Sequence, residues 1–237
     1  MKPALVASLA VLLVFLSTAN AQTEGATTIG RKNTYSAFVE YANDSSHIVL
    51  GRAPNRKFAA LGIQYERRLV ANRKLTLRYA AEFRPLILER DVTEIETFIE
   101  TIGGPDTIVN PPVAVTRCTP STEVFSFTIE ISCSHRWSYA QGLSPFGTRM
   151  NFRPSHRLQP TASLFAGYLL SSKKIPIDTA GSFNFSFEIG AGIEYFLSPS
   201  RSMRFEYQLQ HFSNAYTAST NPGVDSGLFK LSYTFGK

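Results

Sequence analysis

Three residues near the C-terminus have the types and spacing that nucleophilic catalysis uses. His211 and Ser213 lie two positions apart. In an extended strand such a pair shares one face, with Cα atoms roughly 6.5 Å apart. An imidazole within reach of a hydroxyl can serve as its general base. Asp225 follows at a spacing of 14 (225 − 211). On a neighbouring antiparallel strand, a pairing that sets Ser213 opposite Asp225 would place the acid diagonal to His211, within reach of its second ring nitrogen. The carboxylate would then fix the imidazole tautomer and stabilise the imidazolium. His, Ser and Asp are also ordinary strand-end and turn residues. Spacing alone therefore leaves a purely structural role open.

The elements that must position these residues read as strands. Apolar residues recur at every second position in Tyr35–Tyr41, Ala59–Tyr65, Leu75–Phe83, Ala162–Leu170, Phe183–Tyr195, Phe205–Leu209 and Phe229–Phe235. Gly142–Arg153 is a weaker eighth, with Phe146, Met150 and Phe152 as its apolar set. This is the period of a strand whose two faces meet different surroundings. The apolar face is nearly free of charge. The other carries Glu40, Glu66, Arg78, Glu82, Arg84, Glu188, Glu194, Glu206 and Lys230. A soluble sandwich also alternates, so the gaps decide. They are short at 69–73, 154–157 and 197–201, and long at 43–57, 86–141, 171–182 and 214–225. Short and long gaps by turns predict an all-β fold: an eight-stranded antiparallel transmembrane β-barrel with short periplasmic turns and long extracellular loops. The apolar face is then the lipid face. His211 and Ser213 continue it to the long-loop end of the seventh strand, and Asp225 shares the parity of Phe229, Leu231 and Tyr233 at the start of the eighth.

The segment 86–136 reads as an insertion in an extracellular loop. Val92, Ile95, Phe98, Ile99 and Ile102 have helical spacing and predict a short amphipathic helix. Phe125, Phe127, Ile129 and Ile131 alternate and predict a strand. Two readings of that strand stand side by side: one arm of a hairpin above the membrane, or the fourth barrel strand over Val124–Cys133 in place of Gly142–Arg153. In an exported chain Cys118 and Cys133 are expected to form a disulfide.

Export is expected from the first residues. Lys2, an apolar run from Ala4 to Leu16 and Ala19-Asn20-Ala21 have the layout of a signal peptide over 1–21. A single barrel domain would fill 22–237. With 43% hydrophobic and 18% charged residues the chain is not of the disordered class. Beyond the N-terminus no apolar run is long enough for a membrane helix. The net charge of +6 is mildly basic and singles out no partner. His47, His135 and His156 lie in separate segments, so no metal centre is expected. A barrel of eight strands is filled by its own side chains, which disfavours a porin. The charged inner face disfavours a lipid carrier.

The segment His211-Phe212-Ser213-Asn214-Ala215, followed by Asn221-Pro222-Gly223-Val224-Asp225, resembles the C-terminal signature of the PagL-type lipid A 3-O-deacylases, the acyloxyacyl hydrolase-like outer-membrane proteins. The resemblance is most specific over Phe205–Phe235 and looser from about Gly142. Segment 86–136 has no evident counterpart in it. It implies an outer-membrane serine esterase acting on lipid A, that is lipopolysaccharide, in contact with outer-membrane lipids. It implies no cofactor, no metal and no nucleic-acid partner, and is silent on oligomeric state. By this resemblance His211 is the general base, Ser213 the nucleophile and Asp225 the acid that orients the histidine. Asn214, with the backbone N–H of Tyr216, would supply the oxyanion hole. Two departures stand out: the acid is Asp where the family has Glu, and Tyr216 stands where members often have Gly. The rival expectation is a non-enzymatic small barrel with a structural or adhesive role.

Overall fold

The computed structural model describes residues 28–42, 44, 50–100, 107–125 and 127–236. The signal-peptide segment and its cleavage site lie outside them, as do His47 and Ile102. Eleven strands follow in chain order: β1 (Asn33–Ala42), β2 (Lys57–Ala71), β3 (Leu75–Glu100), β4 (Thr107–Val109), β5 (Val113–Ala114), β6 (Ser121–Val124), β7 (Phe127–Phe152), β8 (Leu158–Ser171), β9 (Phe183–Ser198), β10 (Arg201–Ser213) and β11 (Val224–Gly236). There is no helix among the described residues.

Every pairing is antiparallel. The path β3-β2-β1-β11-β10-β9-β8-β7 closes on itself, because β3 also pairs along its length with β7. Eight strands therefore form the ring, and β4, β5 and β6 stand outside it. Closure removes the free sheet edges of an open meander. The turns β2–β3, β7–β8 and β9–β10 are tight. The connections at the opposite end are long.

The faces are inverted relative to a water-soluble barrel. Tyr35, Val39, Tyr41, Leu61, Ile63, Phe187, Ile189, Ile193, Phe205, Tyr207, Phe229 and Leu231 are exposed. Glu40, Glu66, Arg78, Glu82, Arg84, Arg149, Glu188, Arg204, Glu206 and Lys230 are buried. An apolar belt outside and a closed polar lumen suit strands that stand in lipid. Aromatic rings mark both rims: Tyr35 with Tyr65 and Phe235 at the short-turn end, Tyr168 with Phe183 at the long-loop end.

The lumen charges neutralise one another. Arg84 donates to Glu40 at 2.8 and 3.0 Å, Glu82 at 2.8 Å and Glu188 at 2.6 Å, and Lys230 Nζ joins Glu40 at 3.0 Å. Lys230 Nζ also lies 3.8 Å from the centroid of the Phe38 ring. A second network ties Arg149 and Arg204 to Glu66 and Glu206. Buried charges persist only when paired in this way.

Two expectations for the long segment change. Residues 92–100 are not helical: they belong to β3, which pairs with β7 up to Glu100↔Phe127. Spacing suggested a helix because 92, 95, 98 and 99 recur at steps of three and four; in the strand 92 and 98 lie on one face and 95 and 99 on the other. Continuous pairing with a long partner strand decides for β, and isoleucine and valine suit it. The two readings of the fourth strand also merge. β7 is a single strand of 26 residues, matched by 26 in β3, whose lower part closes the barrel and whose upper part rises beyond it. There β4 and β5 pair with β3, and β6 pairs with β7. Cys118 and Cys133 are disulfide-bonded with a Cα separation of 5.8 Å, joining the segment before β6 to β7.

Candidate active site

His211 and Asp225 meet because β10 and β11 run antiparallel, with Tyr207 opposite Phe229 and Leu209 opposite Gly227. Two residues further on, this register sets His211 directly opposite Asp225. The register expected from spacing differs by two residues: it sets Ser213 opposite the acid and His211 on the diagonal. The direct pairing brings His211 Nδ1 to 2.6 Å from Asp225 Oδ1. An ionised carboxylate only accepts, so Nδ1 carries the hydrogen and Nε2 presents its lone pair. The imidazole is 19% exposed and the carboxylate 2%.

Asp225 has the outward parity expected of it but does not meet lipid. The β1–β2 connection folds over it. The backbone N–H groups of Leu50 and Gly51 both donate to Asp225 Oδ2, at 2.9 Å each. Arg52 N–H donates to Pro222 O at 2.8 Å, pinning the same segment to the chain just before the acid. Each carboxylate oxygen is thereby engaged, and the acid has little freedom to turn. Gly51 is required by space: a Cβ there would lie 2.4 Å from Asp225 N. Gly223, at φ +62°, lets the loop pass the imidazole, and a Cβ there would sit 3.0 Å from His211 Cε1. Spacing pointed to neither Leu50 nor Gly51, since backbone donors in a distant loop leave no side-chain signal.

Ser213 ends β10, opposite Phe185 of β9, on the same face as His211 and half-buried. Among the described residues no hydrogen bond joins its hydroxyl to His211. Asn214 is buried and holds the β10–β11 loop together. Its Nδ2 donates to Thr220 O at 2.7 Å, and its Oδ1 accepts from Tyr216 N–H at 2.9 Å. Ala215 and Tyr216 follow with φ of 50° and 61°, the left-handed conformation of a sharp turn. The Tyr216 N–H is thus committed to orienting the Asn214 amide.

A second cluster of carboxylates lies in the lumen. Oxygen atoms of Glu40, Glu82 and Glu188 lie within 4.8 Å of one another, close enough to share a cation. The cations present there are the side chains of Arg84 and Lys230.

Residues 119–234 match the family model of the lipid A 3-O-deacylase, PagL. The match begins within the segment read from sequence as an insertion. Among solved structures, the chain is similar to the outer membrane enzyme PagL, with 12% identity, 85% of this chain and 99% of that one covered, and a TM-score of 0.50. It is also similar to Neisserial surface protein A (12% identity, coverage 86% and 96%, TM-score 0.47). A third is Ail, the attachment invasion locus protein of Yersinia pestis (10% identity, coverage 87% and 100%, TM-score 0.42). No curated protein matches.

Proposed function

We propose that the chain is an outer-membrane esterase that removes an ester-linked acyl chain from lipid A; the match of residues 119–234 to the lipid A 3-O-deacylase (PagL) family model supports this reading. The observation that carries the proposal is the His211–Asp225 pair at 2.6 Å, on the outer face of the barrel at the long-loop end, with Ser213 two residues along the same strand. A lumen-facing triad would reach no lipid. One on the outer face, at the rim of the apolar belt, reaches the lipid of its own leaflet, which in a Gram-negative outer membrane is lipopolysaccharide.

In this reading Ser213 Oγ attacks the acyl carbonyl while His211 Nε2 takes its proton. Asp225 holds Nδ1–H and stabilises the imidazolium as it forms. The oxyanion is met by the second Nδ2–H of Asn214, the amide having two hydrogens of which Thr220 O takes one. Tyr216 contributes by holding that amide in place. His211 then protonates the departing sugar oxygen, and water activated by the same imidazole releases the fatty acid. The Ser213 hydroxyl and His211 share one strand face two residues apart, and such hydrogen bonds often close only with substrate bound.

The test is mass spectrometry of lipid A from cells carrying the wild type, Ser213→Ala or His211→Ala. Each variant should migrate as a heat-modifiable barrel and leave lipid A fully acylated. Wild-type deacylation by Ser213→Ala would remove the nucleophile and put the structural-barrel reading in front.

A further inference from the structure

The acid of the proposed triad depends on a loop from the far side of the sequence, and that loop is held at its other end by one buried arginine. Arg56 is almost inaccessible and spends its fork on carbonyls of three segments. Nη1 donates to Pro54 O at 2.7 Å and Thr116 O at 2.9 Å. Nη2 donates to Val115 O at 2.6 Å and Pro176 O at 3.1 Å. Its Nε faces Asp91 at 3.8 Å. Asp91 in turn accepts from Ser138 at 3.2 Å and lies 3.6 Å from Arg136, which pairs with Asp178 at 2.7 Å. Asp178 closes the circle by accepting from Ala114 N–H at 2.9 Å. One guanidinium thus ties the β1–β2 connection to the β5–β6 segment and the β8–β9 loop. A planar fork with five donors suits this task, and no other side chain supplies as many in fixed directions.

Only four residues separate Arg56 from Gly51. Across them Ala53 is buried, in an apolar cluster with Phe58, Ile175, Phe212 and Val224. Arg52 N–H holds the segment to Pro222. The segment 50–56 is therefore a short strut, with the Arg56 hub at one end and the two N–H donors on Asp225 Oδ2 at the other.

We infer that Arg56 is a positioning residue for the deacylation: it clamps segment 50–56 against the β5–β6 segment and the β8–β9 loop, and so holds Leu50 and Gly51 where they lock Asp225 onto His211. The elements beyond the barrel wall are then part of the catalytic scaffold. This inference rests on the proposed triad.

The full-length protein, purified in detergent, is compared with Arg56→Met and Arg56→Lys in fatty-acid release from lipid A. Arg56→Met fills the site without donors. It should lower kcat by about tenfold or more, short of the ~10⁴ that losing a triad acid can cost, with KM changed less than threefold. Arg56→Lys, with three donors on a flexible stem, should recover part of the loss. Two readouts separate positioning from general destabilisation. The low-field proton of His211 Nδ1–H should weaken or broaden in Arg56→Met while the barrel stays heat-modifiable. In the Asp225→Asn background, Arg56→Met should change the residual rate less than twofold, because the group it positions has gone. A wild-type rate and unaltered proton signal in Arg56→Met would overturn the inference while Ser213→Ala remains inactive. So would full additivity of the two substitutions. An active Ser213→Ala would instead strike at the triad itself. If Arg56→Met gives no folded barrel, the cycle is run with Arg56→Lys, where full additivity would equally overturn the inference.

Discussion

Replacing Asp225 by Asn tests the site at the point where the structure says most. Among the described residues the carboxylate accepts from His211 Nδ1 on Oδ1, and from the N–H groups of Leu50 and Gly51 on Oδ2. Asn has one oxygen. Given to the two backbone donors, it turns the NH₂ group toward His211 and forces Nδ1 to accept. Nε2 must then carry the hydrogen and can no longer take the serine proton. The reversed amide would set NH₂ against two N–H groups and leave all of them unpaired, at about 1–3 kcal/mol for each buried group. Charge is lost as well. With His211 Nδ1 2.6 Å from Oδ1, the imidazolium and carboxylate centres are about 4 Å apart, worth about 4 kcal/mol at an effective dielectric constant near 20. At ~1.4 kcal/mol per decade that is a factor of about 10³ in rate. The tautomer penalty adds to it, so Asp225→Asn should lose between about 10³ and 10⁴ in kcat. Asp225→Ala removes more atoms but imposes no tautomer, and should be no slower than Asn. The assay is release of fatty acid from purified lipid A, with heat-modifiable migration as the control for folding. A folded Asp225→Asn within tenfold of wild type would show that this carboxylate does not support the imidazole.

Asp225→Glu should also slow the proposed deacylation, by about tenfold. The site is closed around the shorter acid, and an added methylene must displace segment 50–51 or the imidazole, at the usual overpacking cost of about 1–3 kcal/mol; a Glu variant faster than wild type would mean that Asp reaches His211 poorly. Opening the Cys118–Cys133 bond, as in the paired Cys→Ser variant, should cost the upper sheet about 3 kcal/mol of order and leave the barrel's heat-modifiable transition in place; limited proteolysis of 107–125 reads the first and gel migration the second. Burial holds the Asp91 carboxyl up at about 6, against the pull of Arg56 and Arg136. A raised acid contributes stability that is complete below its ordinary value and is lost as pH rises through about 6. Protection factors for hydrogen exchange at 113–116, with the intrinsic pH dependence of exchange removed, should therefore be higher at pH 5 than at pH 7.5, and the difference should shrink in Asp91→Asn; an unchanged difference would place its origin elsewhere.

Much of the fold was legible because the barrel states its rule on every strand. Tyr35, Val39 and Tyr41 against Ser36 and Glu40 is a local pattern, read without knowing any partner. The apolar face free of charge showed which side meets lipid. The alternation of tight and long connections implied the antiparallel meander. His211 and Ser213 could be placed on one face because strand parity needs only counting. Where apolar residues stood on both faces, counting failed: 92, 95, 98 and 99 fit one face of a helix but divide between the two faces of β3, and only pairing with β7 decides for the strand.

The register between β10 and β11 was beyond the sequence. A shift of two residues keeps every parity and moves Asp225 from the diagonal of His211 to directly opposite it, and only side-chain packing across the whole strand pair chooses between them. The cover over Asp225 was further out of reach. Leu50, Gly51 and Arg52 act through backbone N–H groups, which every residue but proline possesses, so residue type marks none of them. Residue type alone did not mark Arg56; the carbonyls of Val115, Thr116 and Pro176 that it binds lie in two segments far along the chain, brought to it by the tertiary fold. Local alternation thus determined the strands, their faces and the placing of the candidate residues on one of them. Tertiary structure decided the register, the backbone donors on Asp225 and the carbonyls gathered around Arg56, because each depends on contacts between segments far apart in the chain.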